Sequence, residues 1–470
     1  MAMTPRFTRF ALALPALATL AAIVALTLWW ARGPDQELKL RVPGTDQPPG
    51  AEGAAAMNPI LSGKLVQGDG QPSSLPGAWP QFRGPNRDGI SPEATALVRS
   101  WEAGGPRELW SVDLGEGYAG PAVLDGRVYV MDYDREKKQS ALRCFSLADG
   151  RELWRYAYPL ALKRNHGMTR TTPAIAAKRV VAMDSKCNVL CLDAASGEFR
   201  WGLNLVREYL ATVPPWYTGQ CPLIDGHAVV LAPGGRDALL LAVDLDTGKP
   251  LWQTPNPRGW KMTHSSVMPM EFAGRRLYVY CGSGGVVGVS AENGAILWDT
   301  TEWKISIATV PSPLVLDGGR IFLSGGYNAG SLMLQLKEDG GKLVPQTLFK
   351  LAPEVFGATQ QTPVFRDGHI FGTRADGQFV CLDPSGKVAW SSGAGTQFGL
   401  GSFTLAGGLA FALNDSGRLS LFEASTSRFA PLAQAQVLKG RESWAPMALA
   451  GGRLLARDLT RMVCLDVAAR

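Results

Sequence analysis

From about residue 107 onward, apolar and polar positions alternate with period two in short runs rich in Val, Leu, Tyr and Phe, broken by two-residue turns. Side chains of a strand point alternately to opposite faces, and tight hairpin turns need residues that tolerate positive φ, so the pattern predicts antiparallel meanders. One run shows the form: Pro121-Ala122-Val123-Leu124, the turn Asp125-Gly126, then Arg127-Val128-Tyr129-Val130. The opening recurs at Pro173, Pro222, Pro269, Pro313, Pro363, near Phe403 and at Pro446. Its intervals run from 40 residues (Pro363 to Phe403) to 52 (Pro121 to Pro173).

A second landmark is a small or acidic residue, then Gly, then Trp, each four positions on. It reads Asp193, Gly197, Trp201; Asp244, Gly248, Trp252; Ser290, Gly294, Trp298; and Ser146, Gly150, Trp154. Asp383, Gly386 and Trp390 are one residue closer, Trp110 is an isolated copy of the aromatic position, and Phe349 and Phe429 look like eroded copies. This period suits a four-stranded unit. Such a sheet has two apolar faces and must stack on neighbours, and radial stacking leaves only short edges. The fold class is therefore all-β: an eight-bladed β-propeller of four-stranded antiparallel blades over residues 107–470. The last unit stops at its third strand, Met462 to Asp466, while Arg107-Glu108-Leu109-Trp110 stands alone before the first opener. That orphan strand is expected to complete the last blade and close the ring.

Upstream, residues 1–9 carry Arg6 and Arg9 and read as a cytoplasmic tail. Residues 10–30 are uncharged and long enough to cross a bilayer, which needs roughly 20 apolar residues. The run ends in Trp29-Trp30 with no small-residue cleavage site, so an uncleaved transmembrane helix is expected, with a cleaved signal peptide as the alternative. Residues 31–78, rich in Pro, Gly and Ala, read as a flexible linker, and 79–106 as a lead-in segment. These features predict a single-pass protein of a bacterial inner membrane with its propeller in the periplasm.

The formal net charge of +6 is mild for 470 residues and no basic run is longer than Lys137-Lys138 in the repeat region, so nucleic acid is not an expected partner. Seven cysteines fall mostly on third strands, where small apolar residues pack; buried free thiols are expected, with a Cys187–Cys191 bridge as an open alternative. There is no C-x-x-C-H, H-E-x-x-H, nucleophile elbow, P-loop or dinucleotide fingerprint.

In a propeller, connections from one blade's outer strand to the next blade's inner strand gather around the axis on one face. They carry the candidate ligand-binding residues Tyr118, His166, Arg170, Trp216, Tyr217, Lys261, His264, Lys304, Gln361 and Trp444. Aromatic planes with cationic or amide donors suit a flat or extended anionic ligand, or a peptide strand; alternatively the rings simply fill the axis. No catalytic residue and no metal ligand set stands out.

The phrase Val189-Leu190-Cys191-Leu192-Asp193-Ala194-Ala195-Ser196-Gly197-Glu198-Phe199-Arg200-Trp201 resembles the repeat of the pyrroloquinoline-quinone-like β-propeller superfamily, with its Trp-docking motif. Trp79-Pro80-Gln81-Phe82-Arg83-Gly84-Pro85-Asn86-Arg87-Asp88-Gly89 resembles the lead-in of BamB-like and polyvinyl-alcohol-dehydrogenase-like bacterial propellers. The superfamily includes calcium- and quinone-dependent alcohol dehydrogenases as well as the non-catalytic assembly lipoprotein BamB. The resemblance implies either a binding or scaffold module for an envelope protein or polymer, needing no cofactor, or a dehydrogenase of alcohols or polyols using pyrroloquinoline quinone with calcium. In the second case Arg170, Lys261 or Lys304 would pair with the quinone's carboxylates. The dehydrogenases share adjacent cysteines and an acid-rich calcium site, and this chain has neither, so the first reading is the expectation. It also lacks BamB's lipid-attachment cysteine.

Overall fold

The computed structural model describes residues 18–28, 58–102 and 104–469. Two units are separate, one ending at Val42 and one beginning at Pro43. In the first, residues 18–28 form a helix; the rest of the expected span, and the tail before it, lie outside the described residues. Among the described residues no helix is long and apolar enough to cross a membrane.

Among the described residues the second unit contains eight sheets, each built on the four antiparallel strands that the repeat predicts. Blade 1 runs Ala122–Leu124, Arg127–Asp134, Gln139–Ser146 and Glu152–Pro159, inner to outer, and blades 2 to 7 repeat the order. Blade 8 takes Ala448–Ala450, Arg453–Arg457 and Arg461–Asp466 from the end of the chain and Glu108–Asp113 from its beginning, with Trp110 opposite Cys464. The expected clasp is thus formed. Arg457, fully buried, secures it by donating to the carbonyls of Gly115 and Ala119 on the connection into blade 1 (3.0 and 3.3 Å).

The Gly-to-Trp spacing has a physical cause between blades. Trp154 of blade 1 lies against Gly197 in the last turn of blade 2, and its Nε1–H donates to the Ala195 carbonyl in the same turn (3.1 Å). Gly197 has φ +77°, and a Cβ there would sit 2.6 Å from the indole, so both backbone and contact require glycine. Trp110, Trp201 and Trp252 dock in the same way, and Phe349, in an eroded copy, lies against Gly386. Trp298 breaks the series. Blade 5 pairs two long strands, Gly330–Asp339 and Lys342–Leu351, which carry the turn glycines away, and the Trp298 Nε1–H is left without a partner among the described residues.

All seven cysteines are free and buried, so the Cys187–Cys191 bridge is not formed. Cys144, Cys191, Cys381 and Cys464 each pair in register with a docking Trp. Burial pushes the thiols of Cys191, Cys281, Cys381 and Cys464 up to about 12, which keeps them protonated and inert.

One upstream expectation needs correction. The linker does not extend to residue 78: Lys64–Gln67 forms a fifth strand on the outer edge of blade 1, and Ile60 is fully buried beside it. The polar composition hid this because few apolar residues of the stretch face the ring; Ile60 and Leu65 pack into the same core cluster as Trp154, Tyr156 and Phe199. Segment 68–78 follows the turn face of blade 1, with Gly70 N–H on the Glu152 carbonyl (2.9 Å) and Ser73 N–H on Gly126 (3.2 Å). Residues 79–91 then enter the axis as a loop, and the chain returns along blade 8, where Val98 N–H meets the Val467 carbonyl (3.0 Å).

Candidate functional site

The axis is closed from one side by this loop and open on the other as a cavity. Trp79 exchanges backbone hydrogen bonds with Val123 of blade 1 (2.8 Å each way), and the Pro80 carbonyl accepts from Ile175 of blade 2 (2.8 Å). Arg83, 8% exposed, donates from Nη1 to Thr362 O (2.6 Å) and from Nη2 to Pro363 O (2.8 Å), both on the approach to blade 6. Arg87, 1% exposed, reaches the Pro222 carbonyl at blade 3 (3.2 Å). Ile90–Ser91 lies parallel to Leu405 and Ala406 of blade 7. The loop therefore ties five inner strands to one another.

Around it a residue one to three positions before each opening strand contributes to a ring: Gly120, Thr172, Cys221, Ser266, Ser312, Thr362, Ser402 and Ala445. Five consecutive members are linked from blade to blade. Thr172 N–H donates to Cys221 Sγ (3.2 Å), Cys221 N–H to Ser266 Oγ (3.0 Å), Ser266 N–H to Ser312 Oγ (3.0 Å) and Ser312 N–H to Thr362 Oγ1 (2.8 Å). Small side chains with an acceptor satisfy buried backbone donors where eight strands converge.

The cavity above this ring measures about 380 Å³. Tyr118, His166, Arg170, Trp216, His264, Gln361 and Trp444 line it, so the structure brings together seven of the ten candidates. Tyr217 is instead buried beneath the rim, its hydroxyl donating to the Lys163 carbonyl (2.6 Å) and accepting from the Lys163 N–H (3.0 Å). Lys261 and Lys304 are exposed and do not line the cavity. Trp79, Phe82 and Arg83 form the floor, and Cys221 and Tyr327 add to the wall.

Tyr118 organises one side. Its ring stacks on Trp444 (centroids 5.2 Å apart, 28° between planes), and the Arg170 guanidinium lies 5.2 Å from its centre. Its hydroxyl donates to the Glu442 carboxylate and accepts from the Gly167 N–H (3.2 Å). Burial, then the bond to Glu442, raises the phenol above its ordinary range. Trp444 is fixed in turn by Nε1–H to Asp415 Oδ1 (2.8 Å). His166, Trp216, Tyr327 and Glu442 all hold positive φ (57° to 63°), a conformation maintained only because the surrounding contacts over-determine it.

The cavity is electropositive. Burial lowers Arg83, Arg87 and Arg170 to about 10, which leaves all three charged at neutral pH. His264, 8% exposed, is pushed down to about 3 by burial and then by the Arg170 charge, so it is neutral. No carboxylate lines the cavity among the described residues, and no group of three His, Cys, Asp or Glu side chains there could hold a metal ion. Calcium takes roughly six to eight oxygen ligands, usually with carboxylates among them, so this donor set does not fit a calcium–quinone pair.

A closed ring of docked blades with a dead-ended axial pocket defines a β-propeller of the quinone-like class. The chain belongs to the family described as outer membrane protein assembly factor BamB, whose model matches residues 90–212 and 138–337. BamB of Yersinia pestis is 22% identical over 317 residues, 63% of this chain and 72% of that protein. The serine/threonine-protein kinase AfsK of Streptomyces griseus is 30% identical over 193 residues, 40% of this chain but only 21% of the kinase's length. Among solved structures, BamB from Moraxella catarrhalis superposes with a TM-score of 0.53 at 15% identity, covering 77% of this chain and 99% of that one. A europium-containing methanol dehydrogenase gives 0.58 at 14% identity, covering 83% and 89%. These likenesses establish the fold.

Proposed function

We propose that the protein is a non-catalytic binding and scaffold module of the bacterial envelope, held to the inner membrane by residues 10–30 with its propeller in the periplasm. In this reading the axial cavity receives part of an envelope protein or polymer. The observation that carries it is the cavity itself: aromatic and cationic, closed at its floor, and, among the described residues, lined by no carboxylate or metal ligand set for acid, base or Lewis-acid chemistry. Membership of the BamB family is in keeping with an assembly role.

A photo-crosslinker at Thr212, on the exposed loop before Trp216, tests it in intact envelopes. A discrete adduct is expected, reduced at least tenfold by Trp216→Ala with the thermal midpoint unchanged. An adduct insensitive to Trp216→Ala and Trp444→Ala would count against the axial site. For the anchor, a full-length chain retained in carbonate-washed membranes is expected, and a shortened soluble chain would overturn that part.

The resemblance to a methanol dehydrogenase favours a second reading, a quinone-dependent alcohol or polyol oxidoreductase. Titration with pyrroloquinoline quinone, with and without calcium, separates the two. The scaffold reading expects neither calcium-dependent quenching of tryptophan nor alcohol-dependent dye reduction; saturable binding with turnover would replace it.

A further inference from the structure

Positive charge is concentrated along the axis; among the described residues no carboxylate lines the cavity, and the nearby Asp88 and Glu442 carboxylates act on Arg83 and Arg170 only through their charge. Arg83 spends its N–H groups on backbone carbonyls, those of Arg87, Asp88, Thr362 and Pro363. Asp88, the acid nearest to it in the chain, turns its carboxylate to the Ile90 N–H instead (2.9 Å). Arg87 meets only the Pro222 carbonyl and the Gln81 side chain (3.2 and 3.3 Å), and its buried Nε and Nη2 have no hydrogen-bond partner among the described residues. Arg170 uses two donors, toward the Gly167 carbonyl (2.6 Å) and the Asn165 carbonyl (3.5 Å). A guanidinium carries five N–H donors, so Arg170 retains others at the cavity wall. Glu442, the carboxylate at the rim, is held by the Tyr118 hydroxyl. Buried cations without a counter-charge are costly unless an anion completes them.

The apolar part of the site is equally specific. Tyr118 and Trp444 form a stacked wall with Trp216 also on the lining, and about 380 Å³ admits a one- or two-ring group but not the body of a polymer. We infer that the axial cavity is a receptor for a carboxylate borne on an aromatic group, with Arg170 as the residue that selects for its negative charge. A planar carboxylate matches the guanidinium fork, and the attached ring finds the aromatic wall beside it. The inference rests on the binding role proposed above and narrows it to a chemical class. The group could belong to a free small acid or to the carboxyl end of a polypeptide.

Calorimetric titration of the full-length protein tests this. The probes are 2-naphthoate and its neutral amide, and a tetrapeptide ending in phenylalanine with a free or an amidated carboxyl end. At least one acid should bind saturably and at least tenfold more tightly than its amide. Binding of 2-naphthoate assigns a small acid, and binding of the peptide acid alone assigns a chain end. Arg170→Gln should abolish the preference for acid over amide, Arg170→Lys should retain part of it, and Arg236→Gln, on an exposed loop, should leave it intact. Equal affinity for acid and amide, binding of neither acid, a preference that survives Arg170→Gln, or equal competition by inorganic phosphate would each overturn the assignment. Should the acids fail while the crosslinked adduct still depends on Trp216, the scaffold role stands and only the carboxylate specificity falls.

Discussion

Docking tryptophans share a fold position but not a set of bonds, so the same substitution should cost different amounts along the ring. Trp201 donates to the Leu245 carbonyl (2.8 Å), whereas the Trp298 Nε1–H is buried without a partner among the described residues. Trp201→Phe removes a hydrogen bond and leaves the Leu245 carbonyl only the weak Cys191 Sγ donor (3.6 Å), at a cost of about 1–3 kcal/mol. Trp298→Phe relieves an unsatisfied donor and should cost less, with chemical denaturation of both variants as the check. His264 carries a second prediction. Its folded pKa, about 3, lies below the ordinary 6.5, so below 6.5 the unfolded chain binds a proton that the native protein refuses. This residue's contribution to stability is therefore constant above that pH and falls with acidification through the window between the two values, with a slope of up to about 1.4 kcal/mol per pH unit. His264→Gln should flatten that slope, measured as the denaturation midpoint from pH 7 to pH 4. Of these features the tryptophan positions were legible in the sequence. The orphaned indole was not, because it depends on the length of a hairpin in the next blade.

At the level of elements, the lead-in loop joins inner strands that are far apart in the chain. Arg83 serves four carbonyls, two within the loop and two at blade 6. Arg83→Met would leave them unpaired in a buried site, and a loss of about 3–5 kcal/mol is expected, in the range for breaking buried charged networks. Hydrogen exchange should then accelerate in strands Val364–Arg366 and Phe403–Ala406 before the outer strands; uniform acceleration would mean that the loop does not hold the axis. The strands themselves were readable because hydrophobic alternation is local. Neither the path of residues 79–91 nor the added strand Lys64–Gln67 was, since their partners lie in other blades and their own sequences are dominated by Gly, Pro and polar residues. The ring of small residues before each opener was visible in principle as Thr172-Pro173, Cys221-Pro222, Ser312-Pro313 and Thr362-Pro363. Their meaning appears only when the strands converge. Lys261 and Lys304 show the opposite failure: each sits on an axial connection, yet chain position alone does not say which side chain turns inward.

For the whole molecule, closure through Glu108–Asp113 makes one blade depend on both ends of the chain. Trp110 is the docking residue of that shared blade, with its ring against Gly150 of blade 1 and its Nε1–H on the Leu147 carbonyl (3.0 Å). Buried Arg457 holds the same seam through Gly115 and Ala119. Blade interfaces are the principal source of stability in a repeat ring, and an interface that also closes the circle protects two free edges at once. Trp110→Ala should therefore lower the thermal midpoint more than Trp252→Ala, although both remove a large aromatic and one indole hydrogen bond, a loss of about 3–5 kcal/mol in a well-packed site. The location of opening distinguishes this from a difference in burial. With the seam weakened, exchange should quicken first in Arg461–Asp466 and Ala122–Leu124 on its two sides, while the strands of blade 4 remain protected until global unfolding. Equal destabilisation by both variants, with exchange rising evenly around the ring, would mean that the clasp is one interface among eight rather than the point from which the ring opens.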